Sequence, residues 1–270
     1  MYHRILIPVT TPSEVEPLIR FAAKLLSPGG EIRLLHVIPT VALPELARDW
    51  RASVNIVIPA HETGAALDIP VEPEVRAARD VAAEILDLAE SHGMDAILLT
   101  LRGGRRRTNP FVGHTASALL QHASCDVIIV NRLALTGARF NRILIPSFSS
   151  HAPRKALSLA EQLAVREEGI PIISLLLGPE APQGLGTGGT REDVTARGIP
   201  HRLKHVLLNP GIFRRGRTYP ETVLAAAAKE RYGLMVVSED AQRGSPLLLT
   251  RRFLEELFRT APCPVLALRA

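Results

Sequence analysis

Thr100, Arg102 and Gly103 follow directly on the apolar run Ala96-Ile97-Leu98-Leu99, and after nine further residues comes Gly113-His114-Thr115 at the head of a helix-patterned stretch. Residues of these types in this order suit phosphate chemistry. Gly103 and Gly104 let the chain turn tightly and expose backbone N–H groups, and Gly113 admits close approach just before a helix N-terminus. Arg102, Arg105, Arg106 and Arg107 add positive charge, while His114 and Thr115 can donate hydrogen bonds. Two readings stand side by side: a cradle for a phosphate-bearing anion, or a basic surface loop whose arginines point into solvent.

Other constellations carry less. His201 and His205 lie four apart, which on a helix would make a metal pair, but His201-Arg202-Leu203-Lys204-His205 reads as a strand and no acidic or thiol cluster completes a site, so no metal is expected. The glycine run from Gly184 to Gly189 does not open a helix after a strand and reads as a flexible loop. His36 falls in a buried run and reads as a packed histidine. Neither a Gly-x-Ser-x-Gly elbow nor a Gly-Lys-Ser/Thr phosphate loop occurs, and no nucleophile, base and oxyanion donor assemble. The chain is therefore read as non-enzymatic.

The elements that must position these residues follow from composition and pattern. A chain of 270 residues, 46% hydrophobic and 22% charged, has room for two ordinary globular domains. Aromatics are only 4%, so the cores are built from aliphatic side chains. The formal charge of +5 is concentrated in short arginine runs, which favours anionic partners such as a nucleotide or an acidic surface; a specific nucleic-acid site is not expected. No apolar run has the roughly 20 residues of a membrane span, and MYHRILIPVTT lacks a signal-peptide centre, which predicts a cytoplasmic protein.

The sequence also contains itself twice. Arg4-Ile5-Leu6-Ile7-Pro8 recurs as Arg142-Ile143-Leu144-Ile145-Pro146, and Ala96-Ile97-Leu98-Leu99-Thr100 falls on Leu234-Met235-Val236-Val237-Ser238 at the same 138-residue offset. Cys125 and Cys263, in Ala-Ser-Cys-Asp-Val and Ala-Pro-Cys-Pro-Val, share it as well. In the first copy the pattern predicts a helix from Val15 to Leu26 stopped by Gly29-Gly30, and a strand over Ile32 to Ile38. It then predicts an irregular stretch over 40–66, a weak strand over Leu67 to Val71, and a helix stopped by Gly93. In the second it predicts strands at Ile143, Ile172, His205, Leu234 and Val265 with helices between them. Alternation of apolar strands with helices predicts an α/β fold: two tandem doubly wound domains, each a mostly parallel five-stranded sheet flanked by helices, over residues 1–134 and 139–270.

Over nearly its whole length this pattern resembles a tandem universal stress protein. The Arg-Ile-Leu-Ile-Pro strands, Leu35-His36-Val37, the glycine loop, and the endings His122-Ala123-Ser124-Cys125-Asp126-Val127 and Thr260-Ala261-Pro262-Cys263-Pro264-Val265 carry the resemblance. It implies an adenine nucleotide alpha hydrolase-like fold, a stress-response or regulatory role, and an adenine nucleotide such as ATP in the first domain only. The implied contacts are Pro8, Thr10, Val37, Thr100, Arg102, Gly103, Gly113, His114 and Thr115. The family's binding motif, Gly-x-x-Gly then nine residues then Gly-Ser/Thr, is half kept: Gly103 and Gly113 match, whereas Thr100 replaces a glycine and His114 a hydroxyl residue. In the second copy the motif positions are Ser238, Ala241, Arg251 and Arg252, and the family's adenine-contacting aspartate is Thr10 in one copy and Phe148 in the other. The resemblance further implies an intramolecular pseudo-dimer whose final strands meet antiparallel, self-association of the whole chain, a soluble module beside a membrane transporter as an alternative role, and slow ATP hydrolysis as another.

Overall fold

The computed structural model describes residues 1–39, 42–100, 113–131, 135, 140–147, 153–178, 181, 183–186, 188–207, 218–238 and 251–269. They fall into two compact units, one essentially Met1–Val130 and the other chiefly Ala138–Ala270.

The first unit runs β1 (Tyr2–Val9), a 3-10 turn (Pro12–Glu14), α1 (Val15–Ala23), β2 (Leu26–Ile38), α2 (Leu43–Ala52), α3 (Val54–Leu67), β3 (Val71–Ala77), α4 (Val81–Ser91), β4 (Ala96–Thr100), α5 (His114–His122) and β5 (Asp126–Val130). Its strands lie in the order β3-β2-β1-β4-β5, all parallel. Ile5, Leu6 and Ile7 are each fully buried, because a central parallel strand is covered on both faces. Val15, Leu18, Ile19 and Ala22 recur at helical spacing and form the buried stripe of α1. Asp80 caps α4 by accepting from Ala82 N at 3.0 Å and Ala83 N at 3.1 Å. Gly93, at φ +56°, ends the turn that follows the helix.

Three expectations are corrected here. Helix α1 stops at Ala23, and β2 runs through Gly29 and Gly30 instead of starting after them. The register against β1 jumps there, from Tyr2 opposite Leu26 to Arg4 opposite Glu31, and a Cβ on Gly30 would lie 2.9 Å from the His3 carbonyl. The glycines therefore serve a strand irregularity and a close backbone approach. The supposedly irregular stretch over 40–66 is largely helical: Pro44 and Pro59 look like breakers, but Ile56, Ala60, Thr63 and Gly64 form a buried face, and α3 packs on α1 and β3. Leu67 closes α3, Asp68 takes a left-handed conformation, and the strand begins only at Val71.

The second unit runs β6 (Ile143–Ser147), α6 (Arg154–Arg166), β7 (Ile172–Gly178), β8 (Thr190–Val194), β9 (Pro200–Leu207), α7 (Thr218–Glu230), β10 (Leu234–Ser238), α8 (Arg251–Thr260) and β11 (Val265–Arg269). Its order is β11-β10-β6-β7-β9-β8, parallel except for β8, which pairs antiparallel with β9. Among the described residues the second unit thus contributes six strands instead of the expected five. The repeat holds closely at the fourth strand, since β10 lies 138 residues after β4 at both ends. It fails between the second and third strands, where the first unit has α2 and α3 and the second has the β8–β9 hairpin, turned by Gly198 at φ +78°. Strand β9 accordingly starts at Pro200 instead of His205.

Candidate functional site

In the first unit the chain proceeds from β1 to β2 and β3 on one side, then crosses to β4 and β5 on the other. The carboxyl ends of β1 and β4 therefore flank the point where the winding reverses, the place where open parallel sheets leave a crevice for a ligand.

Pro8 is half-buried in β1 opposite Leu35, and Val37 is buried in β2, one residue beyond the His36–Val9 pair. His36 Nδ1 lies 3.1 Å from the Val9 carbonyl, as suits a packing histidine. Thr10 leaves β1 exposed, and Thr100 closes β4 half-buried. These two threonines meet through a residue outside the glycine-loop motif, Glu14. Glu14 Oε2 accepts from Thr10 N at 3.2 Å, Thr10 Oγ1 at 3.1 Å and Thr11 N at 3.2 Å, while Glu14 Oε1 accepts from Thr100 Oγ1 at 3.3 Å. One carboxylate thus ties the exit of β1 to the exit of β4. Its placement is local: Thr11-Pro12-Ser13-Glu14 is a capping-box sequence, in which the fourth residue reaches back to the backbone of the first. That spacing was the available sequence signal for Glu14.

Gly113, His114 and Thr115 stand at the head of α5, with Gly113 and His114 exposed and Thr115 half-buried. Gly113 has φ −61° and ψ 166°, an extended conformation open to any residue, and a Cβ there would meet nothing within 4 Å. Nothing in the fold requires glycine at this position. Gly113, as the N-cap residue, has no side chain to cap the helix, and no capping hydrogen bond from another side chain is found among the described residues. Arg102, Gly103 and the arginines 105–107 lie outside the described residues. Both donors of Thr10, its backbone N–H and its hydroxyl, already serve Glu14.

The universal stress protein family model matches residues 1–131. This half of the chain belongs to that family. Solved structures extend the likeness in fold to the rest. A universal stress protein from Archaeoglobus fulgidus is 17% identical, with a TM-score of 0.65 over 98% of this chain and 95% of its own. A protein of unknown function from Pseudomonas aeruginosa is 14% identical, with a TM-score of 0.58 over 99% and 92%. The cytoplasmic domain of a prokaryotic cation chloride cotransporter is 13% identical, with a TM-score of 0.59 over 99% and 95%. No curated sequence is detectably similar. No helix among the described residues is long and apolar enough to cross a membrane.

The second unit ends its equivalent strand in Ser238, buried with an Oγ that finds no hydrogen-bond partner among the described residues, and Arg251 opens the following helix. Ala241 and Phe148 lie outside the described residues. His201 and His205 both lie in β9 and are both buried, but they serve separate partners: His201 Nε2 lies 2.8 Å from Ser174 Oγ, and His205 Nδ1 accepts from Gly188 N at 3.2 Å. His205 N also donates to Gly189 O at 3.0 Å, so the glycine stretch is fastened to β9. Among the described residues no three His, Cys, Asp or Glu side chains gather as a metal site. Burial raises both the Cys125 and Cys263 thiols to about 11, which keeps them protonated and poorly nucleophilic at neutral pH.

Proposed function

We propose that this chain is a non-enzymatic regulatory protein of the stress response whose first unit takes an adenine nucleotide, or a similar phosphate-bearing ligand, weakly in the crevice between β1 and β4. The observation that carries the reading is the division of that crevice. Among the described residues the head of α5 is uncapped and a Cβ at Gly113 would meet nothing, which suits a phosphate. The other side is spanned by Glu14, held by Thr10, Thr11 and Thr100, so a base must displace a carboxylate before it can use those donors. Weak affinity follows from that competition. Pro8, Val37, His114 and Thr115 would line the ligand, with Arg102 and Gly103 completing the phosphate side, and no metal is part of the proposal. Pairing of the two halves as an intramolecular pseudo-dimer, further self-association and a cytoplasmic location belong to the same reading.

The direct test is a melting scan of the full chain with millimolar ATP, ADP and AMP. A ligand at 100 times its dissociation constant adds about 2.7 kcal/mol, a shift of several degrees. The expected shift is lost on Gly113→Val; the absence of any shift in the unchanged protein rejects the site.

A second reading is a soluble module acting beside a membrane transporter, favoured by the likeness in fold to a cotransporter's cytoplasmic domain. Salt-sensitive co-sedimentation with anionic vesicles supports it, and indifference to vesicles counts against it. Slow ATP hydrolysis would show as phosphate release that Gly113→Val abolishes.

A further inference from the structure

A separate cavity of about 220 Å³ lies in the second unit, away from the carboxyl ends of its strands, lined by Arg142, Pro171, Ile173, Glu192, Asp193, Pro200, His201, Arg202 and Glu230. Arg142 immediately precedes β6, Pro171 precedes β7, Pro200 and His201 begin β9, and Glu230 ends α7. The cavity is therefore at the amino edge of the sheet, opposite in sense to the crevice described above.

Its charges are unevenly satisfied. Glu230 accepts from Lys204 Nζ at 2.6 Å and from the Tyr232 hydroxyl at 2.8 Å, so its charge is already met. Glu192 is paired with Arg202 at 2.6 Å. Arg142 stands differently. Its guanidinium lies 6.0 Å from the centre of the Tyr232 ring, its Nε is buried without a hydrogen-bond partner, and no ion pair joins it to a carboxylate among the described residues. A planar guanidinium held against an aromatic ring, with no carboxylate paired to it among the described residues, suits a carboxylate or a phosphate at its outer nitrogens.

The rest of the lining chooses between the two. Glu192, Asp193 and Glu230 give three acidic groups against Arg142 and Arg202, a balance that repels a phosphate dianion but tolerates a ligand carrying both signs. Asp193 Oδ1 accepts from Val194 N at 2.8 Å, while Oδ2 has only Arg191 at 3.9 Å, so its charge is not met by a close cation. Pro171, Ile173 and Pro200 supply an apolar wall. The volume lies below the roughly 300–1,000 Å³ of pockets for drug-sized molecules. We infer that this cavity binds a small zwitterionic amino acid with a short apolar side chain, its carboxylate on Arg142 and its ammonium toward the Glu192–Asp193 pair of β8. The site is independent of the nucleotide crevice, because every lining residue belongs to the second unit.

The test is calorimetric titration of the full chain with L-valine, isobutyrate, isobutylamine and inorganic phosphate, in the unchanged protein and in Arg142→Gln and Asp193→Asn. L-valine is expected to bind at least tenfold more tightly than isobutyrate or isobutylamine, with no response to phosphate. Arg142→Gln is expected to weaken L-valine at least tenfold. Asp193→Asn, at a half-exposed position that tolerates change, is expected to weaken it several-fold and so covers the case in which Arg142→Gln fails to fold. Absence of L-valine binding, binding unchanged in Asp193→Asn, or tighter binding of phosphate than of L-valine overturns the proposal.

Discussion

The hydroxyl of Thr100, the last residue of β4, donates to the carboxylate of Glu14 at 3.3 Å across 86 residues of sequence, and the same carboxylate holds the backbone of Thr10 and Thr11. The two strand ends that flank the crevice are thus joined by one negatively charged side chain. Glu14→Gln keeps the shape and removes the charge, so affinity for ATP is expected to rise several-fold. The ATP-dependent melting shift measures this; an unchanged or smaller shift argues that Glu14 does not compete with ligand. Thr100→Val, which deletes only the bond across the crevice, is expected to cost about 1 kcal/mol in denaturant unfolding.

Two glycines should respond in opposite ways. Gly64 lies within α3, where alanine ordinarily gains about 1 kcal/mol, but a Cβ there would sit 2.7 Å from Val71 Cγ2 and 2.9 Å from the Ile69 carbonyl. Gly64→Ala is therefore expected to destabilise by roughly 1–3 kcal/mol, as overpacking does. Gly113 faces open space, and Gly113→Val is expected to leave stability within about 0.5 kcal/mol while removing any nucleotide response. Urea midpoints alongside the ATP melting scan separate the two effects.

Alkali should destabilise the fold through its thiols. Burial raises Cys263 from an ordinary value near 9 to about 11, so as pH rises the unfolded chain loses its proton first. Its contribution is intact below about pH 9 and is lost as the pH climbs through 11. Cys125 is raised likewise, by burial first and then by the charge of Asp126. Unfolding midpoints from pH 8 to 11 are expected to fall less steeply in Cys263→Ala, and an identical slope counts against the assignment.

Acid acts through His201. Burial lowers its pKa below the ordinary 6.5, outweighing the opposing charges of Asp193 and Glu161. The unfolded chain therefore takes up the proton first as pH falls, and stability present above pH 6.5 is lost below it. Comparing unfolding at pH 7.5 and 5.5, His201→Gln should narrow the difference. Ser174, fully buried and 2.8 Å from His201 Nε2, should lose about 1 kcal/mol or more as Ser174→Ala at neutral pH, because a buried ring nitrogen loses its partner.

Much of the scaffold was legible from residue order. Runs such as Ile5-Leu6-Ile7 and Ile97-Leu98-Leu99 have no polar residue to face water, so they can only be strands covered on both sides, and the alternating helices force parallel order. The 138-residue offset located the matching strands of the two units because core strands tolerate little insertion. In the first unit the departures lie where local signals compete with packing. Gly29 and Gly30 look like a helix stop but serve a strand irregularity, and Pro59 looks like a breaker but sits within α3, whose buried face packs on α1 and β3.

For the candidate site, the sequence by itself determined which residues stand at the strand ends and at the head of α5, since position along an alternating pattern fixes which end of the sheet each residue reaches. Only the tertiary structure decided what those residues touch. Thr10 and Thr100 are far apart in the chain and carry no mark of a common partner; the winding reversal between β1 and β4 brings their strand ends together, and a capping turn delivers Glu14 between them. The cavity beside Arg142 is likewise invisible in the sequence, because a hairpin, a helix end and two strand starts must converge before one arginine is left with a buried donor and no partner. Periodicity encodes which face of an element is apolar, but the pairing of polar groups across a fold depends on distances that only three-dimensional packing sets.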